Sequence, residues 1–346
     1  MAQKRDLSQL VRPNIMRLEP YSCARSEFKG EARVFLDANE NPFGEPFNRY
    51  PDPLQTHVKE QIAKLKHVRP TQIMLGNGSD EPIDLIYRIF CRPGVDNVVA
   101  IEPSYGMYRV AADTNDVEYR TAFLTEDFQL DAERVLGKTD QNTKVVWLCS
   151  PNNPTGNLLK ETEIRKVIDG FDGIVVIDEA YIDFAAEGSW LRELDKNPRL
   201  IVLQTFSKAW GLAGVRCGMA FANEDIIDIF NKVKYPYNIN ILTQQKVSEA
   251  LDNAKRKEDE VATILSERGR LISECEQMKL VKHVYPTDAN FILIKVDDAT
   301  ATYEALLASG IVTRNRNKVS LCSGCLRITV GTPAENTELI EKLKSL

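Results

Sequence analysis

Between about residues 70 and 222, short apolar runs alternate with stretches whose apolar residues recur at helical spacing. IMLG (73–76), NVVAIEP (97–103), VEYRTAFL (117–124), KVVWLCS (144–150), GIVVIDEAY (173–181), RLIVLQTF (199–206) and GMAFA (218–222) read as seven strands. DEPIDLIYRIF (80–90) and ETEIRKVIDG (161–170) read as amphipathic helices between them. Near-continuous apolar strands separated by helices predict an α/β domain: a mostly parallel seven-stranded sheet flanked by helices. The character changes after Asn240. A helical pattern from about Thr243 to Met278 leads into a strand (ANFILIKV), a helix (ATYEALLASG), a strand (CLRITVG) and a last helix. This predicts a large domain over 36–240 and a small α+β C-terminal domain over 241–346. Residues 1–35 are expected to form an N-terminal arm packed on the small domain.

A chain of 346 residues suits such a division into two domains. Its net charge of −6, with no basic stripe, gives nucleic-acid binding no electrostatic support. No apolar stretch approaches the roughly 20 residues needed to cross a bilayer. The opening MAQKRDLSQLVRPN lacks a secretory pattern, and the seven cysteines are scattered without a framework. Together these predict a cytoplasmic protein with reduced thiols. The CxxC pair in CSGC (322–325) has no second ligand pair and leads into a strand, so neither a metal site nor a thioredoxin-like centre is expected. The only histidines are His57, His67 and His283, none beside a candidate nucleophile in sequence. Proton chemistry here needs another base.

The polar residues of interest fall where predicted strands end. After IMLG comes NGSDE, a glycine turn opening a helix. Its free backbone N–H groups suit a phosphate, while Ser79 and Asp80 also fit a helix N-cap and a first-turn acid. After KVVWLCS comes PNNPTGN, a turn rich in amide donors. Asp178 emerges from an apolar strand, where a buried carboxylate requires a cation, a ring N–H or backbone amides. One strand later, TFSKAWGLAGVRCG sets Lys208 between Thr205, Ser207 and Arg216. A Schiff-base lysine, hydroxyls and an arginine for a phosphate, and an acid for a ring nitrogen are the parts that hold pyridoxal 5′-phosphate.

With these residues in place, the chain resembles the fold-type-I pyridoxal-phosphate aminotransferases of the class-II subgroup, and within them the branch acting on histidinol phosphate. The likeness rests on RPNIMRLEPYSCAR, LDANENPFG, NRYPDP, GNGSDE, PSYGMY, CSPNNPTGN, DEAYIDF, TFSKAWGLAGVRCG and GCLRITVGT, in order from about residue 12 to 332. It implies that Lys208 carries the cofactor as a Schiff base and then serves as the base for the proton shift. Asp178 would pair with the pyridine nitrogen, Asn153 and Tyr181 would bond the ring's 3-oxygen, and Tyr105 would stack on the ring. Gly78, Ser79, Asp80, Thr205, Ser207 and Arg216 would hold the cofactor phosphate.

Tyr21, Arg314 and Arg327, with Tyr50 from the neighbouring subunit of a homodimer, would take the substrate phosphate. Both Arg314 and Arg316 are available in IVTRNRNK, and position after the apolar run favours Arg314. The expected reaction exchanges the amino group between L-histidinol phosphate and 2-oxoglutarate, giving imidazole-acetol phosphate and L-glutamate. An aromatic amino acid aminotransferase or a threonine-phosphate decarboxylase would keep the same catalytic residues and is the alternative. A non-catalytic regulator should have lost some of these groups, and none is missing.

Overall fold

The computed structural model describes residues 5–23, 30, 32–186 and 188–346. Seven strands form the main sheet: β1 (Ile73–Asn77), β2 (Asn97–Glu102), β3 (Glu118–Phe123), β4 (Thr143–Cys149), β5 (Ile174–Asp178), β6 (Leu200–Thr205) and β7 (Cys217–Ala222). They lie in the order β1-β7-β6-β5-β4-β2-β3. The pairs β2/β3, β2/β4, β4/β5 and β5/β6 are parallel, and β7 runs antiparallel to both its neighbours. The carboxyl ends of β1, β2, β4, β5 and β6 therefore share one edge with the start of β7.

Alternation along each strand divides the core into two layers, because successive side chains point to opposite faces. Leu75, Val99, Val146, Val175 and Val202 pack on one face. Met74, Val98, Trp147, Val176 and Ile201 pack on the other. Both faces are buried, which is why these strands read as continuous apolar runs. The helices Asp80–Phe90 and Glu161–Gly170 occupy the spans their periodicity predicts.

The second sheet is antiparallel, in the order β10-β11-β9-β8, from β8 (Val281–Val284), β9 (Phe291–Val296), β10 (Arg314–Asn315) and β11 (Cys325–Thr329). Two of these strands escape the periodicity reading: β8 has no buried residue and β10 spans two residues. The single long helix expected over 243–278 is two, Ile241–Asp252 and Ala254–Glu276, broken at Asn253, whose φ of −116° and ψ of 45° are not helical.

The described part of the N-terminal arm packs on the large domain, not on the small one. Leu10, Val11 and Ile15 are buried in the same cluster as Ile83, Ile86 and Phe230. The Arg12 N–H donates to the Ile89 carbonyl at 2.9 Å, and Arg5 pairs with Asp172 at 3.0 Å. Apolar side chains in the arm complete the face between the helices Asp80–Phe90 and Glu224–Val233. Among the described residues no helix is long and apolar enough to cross a membrane. All seven cysteines are buried free thiols, Cys322 and Cys325 included.

Candidate active site

The shared sheet edge opens into a cleft of about 650 Å³ whose far wall comes from the smaller sheet. Its narrow end is built by close backbone approach. Gly78, leaving β1 at φ +66°, donates to the Arg216 carbonyl at 3.0 Å. Gly218 lies so near that a Cβ there would sit 2.4 Å from the Gly78 carbonyl carbon, and a Cβ on Gly78 would sit 2.3 Å from Arg216 Nη2. Glycine is thus required at both positions. Arg216, itself left-handed at φ 56°, lays its guanidinium over Gly78 and pairs with Asp80 at 3.2 Å. Ser79 occupies the N-cap position of Asp80–Phe90 but makes no side-chain cap bond. Its hydroxyl remains at the cleft beside Thr205 and Ser207.

Asp178 ends β5 and is buried. Its Oδ2 accepts from the Tyr108 hydroxyl at 2.6 Å and its Oδ1 from the Ala180 N–H at 3.0 Å. Burial pushes its carboxyl above the ordinary range despite those bonds. Such a carboxylate stays charged only with a cation beside it. Lys208, three residues beyond β6, has its amine lowered by burial and then by the Arg327 guanidinium, and Nζ stands 5.6 Å from the Tyr181 ring centre. Tyr105 lines the same wall, its hydroxyl donating to Asp80 at 3.2 Å. Tyr108, fully buried against Trp147, is the one partner of Asp178 that strand-end reasoning misses, since it sits inside the helix Met107–Thr114.

The wide end is arginine-rich. Arg314 and Arg327 face each other across β10 and β11 in register. Arg327 donates through Nη1 to Asn153 Oδ1 and lies over the Phe291 ring at 5.2 Å. Arg314 and Arg316 both line the cleft, so the structure does not choose between them. Among the described residues no carboxylate pairs with any of the three, and Nε of Arg316 and of Arg327 is buried without a hydrogen-bond partner. Burial, followed by the Arg316 charge, lowers Arg327 to about 10. Tyr21 and Tyr50 lie outside this cleft, 77% and 51% exposed, with Tyr50 stacked on Tyr237 at 4.4 Å.

This donor set fits pyridoxal 5′-phosphate. A buried carboxylate wanting a cation, an amine of lowered basicity and a guanidinium over a tight glycine crossing match its ring nitrogen, aldehyde and phosphate.

The profile of the family described as aminotransferase class I and II matches residues 29–343. A histidinol-phosphate aminotransferase of Parabacteroides distasonis is 56% identical over 342 residues, covering 99% of each chain. The crystal structure of the histidinol-phosphate aminotransferase from Clostridium acetobutylicum superposes with a TM-score of 0.80 at 25% identity, over 89% of this chain and 97% of that one. The fold is shared with the Sinorhizobium meliloti histidinol-phosphate aminotransferase solved in complex with pyridoxal 5′-phosphate (TM-score 0.77, 22% identity, 86% and 82% covered).

Proposed function

The chain belongs to the class I and II aminotransferase family, and we infer that it transfers the amino group of L-histidinol phosphate to 2-oxoglutarate, in histidine biosynthesis. When bound, pyridoxal phosphate supplies an aldehyde that captures amino groups and a ring that absorbs the electrons released at the substrate's Cα. Lys208 would hold the group through Nζ and would move the proton at the substrate's Cα. Its lowered basicity leaves the amine free for both tasks. Asp178 would keep the ring nitrogen protonated, its carboxylate directed by Tyr108 and Ala180. Asn153 and Tyr181 would hold the 3-oxygen, and Tyr105 would flank the ring. Gly78, Ser79, Asp80, Thr205, Ser207 and Arg216 would hold the cofactor phosphate.

The observation that carries the substrate reading is the second arginine group. One anion site, around Arg216, suffices for the cofactor. The cleft has another, formed by Arg314, Arg316 and Arg327, whose charges no carboxylate among the described residues neutralises. Guanidinium forks bind phosphate and carboxylate alike, so the group serves histidinol phosphate in one half-reaction and glutamate in the other. Tyr21, and Tyr50 of the partner subunit in a homodimer, complete that site in this reading. Leu36 and Tyr235, 89% and 75% exposed, and the Tyr50–Tyr237 stack support a surface covered by a second copy. The cytoplasm is the compartment proposed for it.

Steady-state comparison of L-histidinol phosphate with L-phenylalanine and L-threonine phosphate tests the reading. We expect kcat/KM for histidinol phosphate to exceed the others by roughly 10² or more, as a site with a dedicated anion pocket requires. Equal or better turnover of phenylalanine refutes the substrate assignment, and carbon dioxide release from threonine phosphate would make the chain a decarboxylase.

A further inference from the structure

Lys234 is buried, does not line the cleft that holds Lys208, and is untouched by the chemistry above. Among the described residues its ammonium has only neutral acceptors: the Pro53 carbonyl at 2.8 Å, the Tyr235 carbonyl at 3.4 Å and Asn238 Oδ1 at 3.4 Å. Burial lowers its basicity, with Glu81, Cys23 and Asp52 as the nearby groups that oppose this. Lys59 is a second buried amine close by, itself lowered to about 8 by burial and by Lys234. Burying a cation without a paired carboxylate is costly, so the arrangement calls for a return elsewhere.

That return lies in what the three acceptors hold. Pro53 is three residues from Tyr50, and Tyr235 and Asn238 flank Tyr237, on which Tyr50 stacks at 4.4 Å. One ammonium therefore clamps both segments of the tyrosine pair. The clamp is anchored below, because Asn238 Nδ2 donates to the Leu75 carbonyl at 2.8 Å and to Glu81 Oε1 at 3.1 Å. The Tyr50 backbone is held from the other side by Glu40, whose Oε1 accepts its N–H at 2.7 Å.

We propose that Lys234 is a positioning residue for substrate phosphate recognition, fixing the Tyr50–Tyr237 stack in the place from which the Tyr50 hydroxyl serves the neighbouring subunit's site. This rests on the reading of Tyr50 given above. Lys234→Met keeps the apolar stem and leaves the Pro53 carbonyl still bonded by Gln55 Nε2 at 2.8 Å, so folding is not the expected casualty.

The test is a double-substitution cycle on the cofactor-loaded enzyme: wild type, Tyr50→Phe, Lys234→Met and the double variant, with KM and kcat for L-histidinol phosphate and KM for glutamate. Both single variants should raise the histidinol phosphate KM roughly tenfold, as loss of a hydrogen bond to a charged group does, with kcat changed less than about twofold. The double variant should be no worse than Tyr50→Phe, because Lys234 acts through Tyr50. Multiplying effects, or a Lys234→Met KM equal to wild type beside a raised Tyr50→Phe KM, overturns the positioning role alone. An unchanged Tyr50→Phe KM overturns the Tyr50 assignment and the proposal with it. A fall in kcat and melting temperature at constant KM marks Lys234 as structural and also overturns it.

Discussion

Arg327 donates through Nη1 to Oδ1 of Asn153, joining β11 of the smaller sheet to the loop after β4 of the larger one. The same guanidinium opposes Arg314 across the strand pair and lowers the basicity of Lys208. In the proposed assignment, the group that would meet substrate is thereby tied to one that would hold the cofactor ring.

Arg314 and Arg327 should consequently differ in kinetic signature. Arg314→Gln removes an anion contact and raises KM for histidinol phosphate by about tenfold or more with kcat preserved. Arg327→Gln raises KM and lowers kcat together, because Asn153 loses its donor. Arg316→Gln, assayed beside them, tells which of the two β10-side arginines reads the phosphate. If Arg314→Gln matches wild type and Arg316→Gln does not, Arg316 takes the role.

Lys208→Ala should lower kcat by about 10³-fold, the scale of a lost general base, while Arg216 and the Gly78 turn still retain cofactor. Borohydride should fix cofactor to the wild-type chain at a peptide containing Lys208 and fix none to the variant. Fixation at another lysine would displace Lys208 from its role.

Asp178 gives a prediction about pH. Its folded pKa stands above the ordinary 3.8, so the folded protein binds more protons than the unfolded one between those values. Stability of the cofactor-free protein therefore falls as pH rises from the carboxylate range through the raised pKa. Asp178→Asn removes that loss, and the Tyr108 hydroxyl can turn to accept from the new amide. The cofactor-free variant should melt higher than wild type, by about 1–2 °C for each 1 kcal/mol relieved in a chain of this size, with the gap wider at pH 8 than at pH 5. Its activity should fall by about 10² or more, since the ring nitrogen loses its counter-charge. Glu179, also buried and raised, is common to both proteins and cancels. A variant that melts lower at pH 8 would show that the carboxylate is not strained by burial.

Gly218→Ala should weaken cofactor binding by displacing the Gly78–Ser79 backbone proposed to hold the cofactor phosphate. The added Cβ meets Gly78 C at 2.4 Å and Ser79 N at 2.5 Å, backbone atoms that cannot rotate aside. Overpacking of this kind costs about 1–3 kcal/mol, or roughly tenfold or more in affinity. Gly214→Ala, with nothing within 4 Å of its Cβ, is the control and should bind as wild type does.

Six of the seven strands of the main sheet were legible because they are buried almost throughout and read as near-continuous apolar runs; β3, at the sheet edge with only Ala122 buried, is the exception. The strand-end rule likewise found Asp178, Asn153, Lys208 and the Gly78 turn, since one sheet edge gathers them. What escaped depends on tertiary contact. Val281–Val284 has no buried residue to mark it, and Asn253 breaks a helix whose polar flanks look continuous. Leu10 and Ile15 carry no signal of which domain they cover. Tyr108 reaches Asp178 across 70 residues of chain, and only the folded helix Met107–Thr114 reveals it.

The most direct measurement is a single turnover: the cofactor-loaded enzyme mixed with L-histidinol phosphate and no 2-oxoglutarate, with the near-visible absorbance of the bound cofactor and the release of imidazole-acetol phosphate followed together. Stoichiometric loss of the aldehyde-form band with matching ketone release, reversed by adding 2-oxoglutarate, is the predicted result. A band that histidinol phosphate leaves unchanged, while L-phenylalanine or L-threonine phosphate discharges it, would contradict the assigned reaction.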